Sequence, residues 1–309
     1  MAAGQTVSFL MKRFAEAGIR IKGKHGQNFL VDLNLLRLLV DAAKLEPNDV
    51  VLEVGTGTGS LTSHIAPHVA SVITVEIDPQ MFQLASEELF ELPNVTMLRL
   101  DALKNKNHLD DRVLDAVRQQ LDAAPGRQFK LVANLPYNIA TPILSNLLAS
   151  SVVPQSMTIT IQKELGDRMI AVPGTKDYGA LSIWIQSQCR VEWVRTLPPT
   201  VFWPRPKMHS AILHIEVDSS LRERIPDLAF FQSFTRAMFL HRRKFLRSQL
   251  LLACGDSLEK GEVDALLGRQ GLSPKLRSEQ LSVEQMLALC EEVRGSCGNR
   301  CRQAETATG

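Results

Sequence analysis

Asn134-Leu135-Pro136-Tyr137 brings together the groups needed to hold a flat heterocycle that carries an exocyclic amine. The Asn134 amide oxygen and the Leu135 carbonyl can each accept a hydrogen from such an amine, and Pro136 stiffens the turn between them. Tyr137 then offers a ring face to the base. Methylation of an adenine amine is the chemistry these residue types fit. The tetrapeptide follows the apolar run Phe129-Lys130-Leu131-Val132-Ala133, so Asn134 is expected at the C-terminal end of a strand, where open α/β sheets bind ligands.

A second set of residues, upstream, suits a donor that contains a nucleoside. Asp49-Val50-Val51-Leu52-Glu53-Val54 reads as a buried parallel strand and runs into Gly55-Thr56-Gly57-Thr58-Gly59 before a helical pattern from Ser60. Glycines there let the backbone approach a ligand closely. The spacing is G-x-G-x-G, which counts against a dinucleotide oxidoreductase, whose turn has the spacing G-x-G-x-x-G. A second strand, Val72-Ile73-Thr74-Val75, delivers Glu76, placed to accept from both hydroxyls of a ribose. Asp101 follows a third strand-like run, Val95 to Leu100, and can meet an adenine amino group. Each residue alone has an ordinary reading: a tight turn, a cap for the helix near Pro79, a loop acid, a turn asparagine. Their ordered recurrence at four successive strand ends favours a methyl-donor site.

Lys24-His25-Gly26-Gln27-Asn28-Phe29-Leu30, the glycine turn, Glu76, Asp101, Asn134-Leu135-Pro136-Tyr137-Asn138-Ile139-Ala140-Thr141 and Phe202-Trp203-Pro204-Arg205-Pro206-Lys207 follow one another in a familiar order. Over about residues 20 to 250 the chain resembles the ribosomal RNA adenine dimethylases. Within that family it looks most like the bacterial small-subunit adenine-N6 dimethyltransferases, the kasugamycin-sensitivity methylases. The resemblance implies S-adenosylmethionine as donor, no metal, and dimethylation of two adjacent adenosines near the 3′ end of small-subunit (16S) ribosomal RNA. A role in ribosome biogenesis, on a pre-ribosomal small subunit, follows from it. Asn28 and Leu30 would then lie over the cofactor, Gly55 at its methionine end, Glu76 on its ribose and Asp101 on its adenine. Asn134, with Leu135, would stand at the transfer centre, and Tyr137 and Phe202 would flank the target base. Three features depart from the family pattern: Thr56 replaces the usual proline, His25 replaces an apolar residue, and the segment from Asp101 to Asn134 is long. A solvated insertion is expected there, around a polar helical stretch from Leu109 to Ala124. The rivals are a large-subunit RNA methylase and a non-catalytic ribosome-assembly factor.

The elements that must position these residues form an α/β pattern. Strands alternate with helices through Ser156-Met157-Thr158-Ile159-Thr160-Ile161, and Arg190 to Leu197 and Ser210 to Val217 close the series as a terminal antiparallel pair. The expected fold is a Rossmann-like, seven-stranded methyltransferase sheet with a small C-terminal all-helical domain. The catalytic domain and its N-terminal arm take residues 1–217, a helical RNA-binding domain takes 218–294, and a disordered tail takes 295–309. The net charge is only +2, so RNA binding has to come from local clusters. One holds Lys12, Arg13, Arg20, Lys22 and Lys24; another holds Arg242, Arg243 and Lys244, in a run free of acids from Arg236 to Arg247. Five cysteines without a C-x-x-C indicate reduced thiols and no metal site. No apolar run reaches the roughly 18 residues of a membrane span and no signal peptide is evident, so a cytoplasmic monomer is expected.

Overall fold

The computed structural model describes residues 7–16, 18–19, 28–254 and 258–307, with side chains as far as Ser296. Seven strands form one sheet: β1 (Asp49–Val54), β2 (Ser71–Glu76), β3 (Val95–Arg99), β4 (Gln128–Asn134), β5 (Ser156–Gln162), β6 (Cys189–Leu197) and β7 (Ser210–Val217). Their spatial order is β3-β2-β1-β4-β5-β7-β6. β1 pairs in parallel with both β2 and β4, β2 with β3, and β4 with β5, whereas β7 runs antiparallel to β5. Strand order therefore reverses between β1 and β4, and that reversal opens a crevice at their C-terminal ends. Gly55 follows β1 there, and Asn134 ends β4.

Burial explains why these segments are strands. Every residue of β1 and β2 is buried, as expected of parallel strands covered on both faces, so their β-branched residues pack without needing a polar side. Leu36, Leu39 and Val40 of the helix Leu33–Ala42 and Leu61 and Ile65 of the helix Ser60–Ile65 share a core with Val51, Val72 and Val132. At the opposite strand ends, the Lys130 ammonium lies 2.8 Å from Asp49 and 2.7 Å from the Lys44 carbonyl. Both side chains are enclosed, so a charge inside an otherwise apolar strand is neutralised in place.

The segment between β3 and β4 is not a solvated insertion. Its helix, Asp111–Asp122, buries Val113 and Val117 against β1, β2 and β4 and serves as the crossover that parallel pairing demands. Polar residues dominate its composition because only one face touches the sheet; the i, i+4 valines carry the signal.

By compactness the chain divides into two units. One takes residues 1–166 and 191–217, the other 167–190 and 218–309. A boundary between the units falls at 217/218, and 167–190 joins the second unit rather than the first. The reason is apolar: Tyr178 is fully buried with its hydroxyl donated to the Leu281 carbonyl at 2.9 Å, and Trp184 stacks on Phe231 at 6.3 Å. The helices Leu228–Met238, Leu246–Cys254 and Lys260–Arg269 give the C-terminal part the helical character expected of it. The last helix, Val283–Ala307, continues past Gly295, where a disordered tail was expected. The tail's Arg, Gln, Glu and Ala residues favour helix, and propagation adds a hydrogen bond per residue at little cost. Among the described residues, no helix is long and apolar enough to cross a membrane.

Candidate active site

A cavity of about 420 Å³ opens at the C-terminal ends of β1, β2 and β4, within the range of small-molecule sites. Its floor is the glycine turn. Gly55 and Gly57 have φ of +90° and +55°, conformations that L side chains rarely adopt. A Cβ on Gly55 would meet Pro136 at 3.2 Å, and one on Gly57 would meet the Phe29 ring at 3.0 Å, so bare backbone is also required by space. The turn is clipped to β2 by Gly55 and Thr56 amides donating to the Val75 carbonyl at 2.9 and 3.2 Å. Thr56, the departure from the family's proline, uses its hydroxyl to reach Thr74 at 2.7 Å and so fixes the turn by other means.

Glu76 ends β2 and lines the cavity with 5% of its surface exposed. One carboxylate oxygen accepts from Gly57 N and the other from Asp78 N, both at 2.9 Å. Burial pushes its pKa up, while these two backbone donors pull it back. The helix Pro79–Glu88 is capped by Asp78 instead, which frees Glu76 for the cavity. Asp101 stands exposed at the rim, one oxygen accepting from Leu103 N at 2.9 Å. Asn28, Phe29 and Leu30 also line the cavity; the family resemblance implies a place over the cofactor for Asn28 and Leu30.

Asn134 and Asn28 meet directly. The Asn134 amide nitrogen donates to the Asn28 carbonyl at 2.8 Å, which fixes the amide flip and leaves Oδ1 as the acceptor. Leu135 is buried behind it, its amide donating to the Thr160 carbonyl at 3.1 Å. Tyr137 lies half-buried at the cavity with its hydroxyl 2.6 Å from Ser210 of β7. Burial raises the Tyr137 pKa, so the hydroxyl stays protonated.

Phe202 is not at the cavity. It is 3% exposed and packs in the core with Leu30 and Leu36, opposite Leu30 in the short antiparallel pair Phe29–Leu30 with Phe202–Trp203. Alternation along that strand turns Phe202 inward and leaves its neighbour Trp203 half-buried against Phe14 and Phe29, with ring centroids at 5.4 and 6.4 Å. A ring enclosed in this way does not stack on an incoming base.

Sequence reading missed Glu53. This residue lines the cavity from below, 1% exposed, and accepts hydrogen bonds from Thr62 and from Thr74, the latter at 2.9 Å. Burial pushes its pKa up to about 8, opposed by the two threonine hydroxyls. An acid set between apolar residues of a strand that leads into a glycine turn was the available signal. Ser210 and Ile77 were also missed; Ile77 is an exposed apolar residue beside Glu76 at the rim.

Of the two basic clusters, Lys12 pairs with Glu16 at 3.9 Å and Arg13 with Glu87 and Glu88 at 3.5 and 3.8 Å. Arg20, Lys22, Lys24 and His25 lie outside the described residues. In the helical unit Arg243 and Lys244 are exposed in a turn, whereas Arg242 is bonded to Glu279. Among the described residues no group of His, Cys, Asp and Glu could hold a metal ion; Cys189 and Cys290 are free and buried, their thiols pushed up to about 12 by desolvation.

The sequence matches the ribosomal RNA adenine dimethylase family over residues 18–294, a span that takes in every site residue above. The chain belongs to that family. It is an adenine dimethyltransferase. The ribosomal RNA small subunit methyltransferase A of Halothermothrix orenii is 37% identical over 266 residues, 85% of each chain. The protein of that name from Alkaliphilus oremlandii is 39% identical over 269 residues, 87% of this chain and 90% of its own. The fold of this dimethylase is shared by two solved structures, each 24% identical. A dimethyladenosine transferase from Plasmodium falciparum superposes with a TM-score of 0.69 over 86% of this chain and 97% of its own. A 23S ribosomal RNA methyltransferase, ErmE, does so with 0.58 over 86% and 99%.

Proposed function

We propose that this chain uses S-adenosylmethionine to dimethylate N6 of two adjacent adenosines near the 3′ end of small-subunit ribosomal RNA, as a cytoplasmic monomer acting on a small-subunit precursor. The observation that carries the reading is the Asn134 amide, held by the Asn28 carbonyl beside the glycine turn. Identity of 37–39% to small-subunit methyltransferases over most of their length supports the choice of RNA.

The residues fit the donor. Two glycines whose Cβ atoms would strike Pro136 and Phe29, and an enclosed carboxylate at the end of β2, suit a nucleoside laid across the strand ends. Glu76 would hold the ribose hydroxyls, since each of its oxygens keeps a further lone pair, and Asp101 would hold the adenine amine. Asn28 and Leu30 would cover the donor. When bound, S-adenosylmethionine supplies a methyl group on a sulfonium, already activated for transfer.

The chain's own contribution is then placement and polarisation. Asn134 Oδ1 and the Leu135 carbonyl accept the hydrogens of the target amine, favouring a geometry with more lone-pair density on nitrogen. Positioning of this kind can supply roughly 7–11 kcal/mol. Neither acceptor is a base at neutral pH, so the proton leaves the methylated nitrogen to water. A monomethylated amine still has one hydrogen to offer, so the same acceptors serve the second round. Stacking of the extruded base falls to Tyr137, worth about 1–3 kcal/mol. Phe202 acts through Leu30, by fixing the strand that roofs the cavity. Arg243 and Lys244 meet RNA phosphates.

Incubation with small ribosomal subunits that lack the modification tests the assignment. The expected product is N6,N6-dimethyladenosine at two neighbouring positions, with monomethyl forms transient; modification confined to large-subunit RNA would overturn it.

A further inference from the structure

Arg242, Arg243 and Lys244 are consecutive in sequence, but the helical unit uses them differently. The Arg242 guanidinium, though exposed, is committed to partners within the protein. Its Nε donates to Glu279 at 3.2 Å, and its Nη2 donates to the carbonyls of Lys176 and Tyr178 at 3.1 and 3.0 Å. The loop that carries Lys176 is held twice more, by Gly174 N donating to the Glu279 carbonyl at 2.7 Å and by the buried Tyr178 hydroxyl on Leu281. On the other side of the basic turn, Leu246 N donates to the Leu276 carbonyl at 2.7 Å and Arg247 N to the Pro274 carbonyl at 3.4 Å, on either side of Lys275.

Three loops distant in sequence therefore converge, and each brings exposed cations: Lys176, then Arg243 and Lys244, then Lys275. Among the described residues none of these four side chains has an ion pair. The acid that could neutralise them, Glu279, is taken by Arg242, and Asp177 is half-buried. Like charges held together by a fixed backbone repel each other unless a polyanion spans them.

We propose that Lys176 and Lys275 extend the RNA-contacting surface of Arg243 and Lys244, and that Arg242 is a positioning residue tying the three loops together rather than a phosphate ligand. The proposal rests on the RNA substrate argued above. Removing one cation that neutralises a phosphate lowers the dependence of log affinity on log salt by about 0.7–0.9.

Binding of the full chain to unmethylated small-subunit ribosomal RNA, measured across a salt series, tests it. Replacing Lys176 and Lys275 together by alanine is expected to flatten the slope by about 1.4–1.8, with donor affinity unchanged and the thermal midpoint not lowered. Arg243→Ala with Lys244→Ala is the reference and should flatten it equally. Parallel lines for the first pair alone overturn the extension and leave the RNA reading standing; parallel lines for both pairs reject the RNA surface itself. Arg242→Lys keeps the charge but cannot make the fork of bonds. It should lower the thermal midpoint and speed amide exchange in residues 172–178, and no change in either removes the positioning role.

Discussion

At the scale of single residues, the proposed roles separate holding the donor from activating the acceptor. Loss of the Glu76 carboxylate removes a charged acceptor facing the donor, so Glu76→Ala should weaken S-adenosylmethionine binding by about 1.5–3 kcal/mol while the protein stays folded. Calorimetric titration reads this directly, and an unchanged dissociation constant excludes the ribose role. Asn134→Ala should leave donor and RNA affinities in place and slow the methyl-transfer step by about 10²–10³-fold, because the hydrogen bond proposed for its Oδ1 is to the reacting amine. Single-turnover kinetics decide the matter; an unaffected transfer step refutes it. Glu53 adds a pH dependence. Its folded pKa of about 8 lies above the ordinary 4.5, so the folded state binds the proton more tightly than the unfolded chain does. The stability from Glu53 is thus full below about pH 4.5 and is lost as pH rises through about 8. Glu53→Gln keeps the neutral form at every pH, so its thermal midpoint should gain on wild type across that window and hold its lead above it. A gap that does not vary with pH would count against a protonated Glu53.

At the scale of elements, each side chain is precise because a strand end or a neighbouring element holds it. Asn134 ends β4 and is oriented by the backbone at Asn28, 106 residues earlier. Tyr137 follows in the turn and is held by Ser210, the first residue of β7. Ser210→Ala removes that anchor without disturbing the cavity floor, so RNA affinity should fall by about 1 kcal/mol, close to fivefold, with donor affinity kept. Comparison of RNA dissociation constants with Tyr137→Phe, which loses the same bond from the other side, checks the assignment: the two variants should behave alike.

At the scale of the whole molecule, the parallel sheet carries the site and a buried charge pair holds its central strands. Lys130 and Asp49 join β4 to β1 at the ends away from the cavity. Removing one partner leaves the other charge buried, so Lys130→Met should destabilise the protein by about 3–5 kcal/mol. The double change Lys130→Met with Asp49→Leu should recover most of that loss. Urea unfolding midpoints measure both, and equal losses in the single and double variants would show that the pair itself is not responsible.

The sequence by itself determined the architecture and most of the chemistry, because both rest on short-range pattern. Apolar runs such as Val50 to Leu52 declare buried parallel strands, and G-x-G-x-G, Glu76, Asp101 and Asn134 fall at strand ends whose order is read along the chain. Tertiary structure decided whatever depends on which residues meet across long separations. It turned Phe202 into the core by pairing it with Leu30, made the stretch around Val113 and Val117 a crossover helix, and drew residues 167–190 into the helical unit through Tyr178 and Trp184. The same applies to charge. A string of basic residues reads alike from end to end, but Glu279 reaches only Arg242. Local sequence fixes what a residue can do, and packing fixes which of its groups remain available to do it.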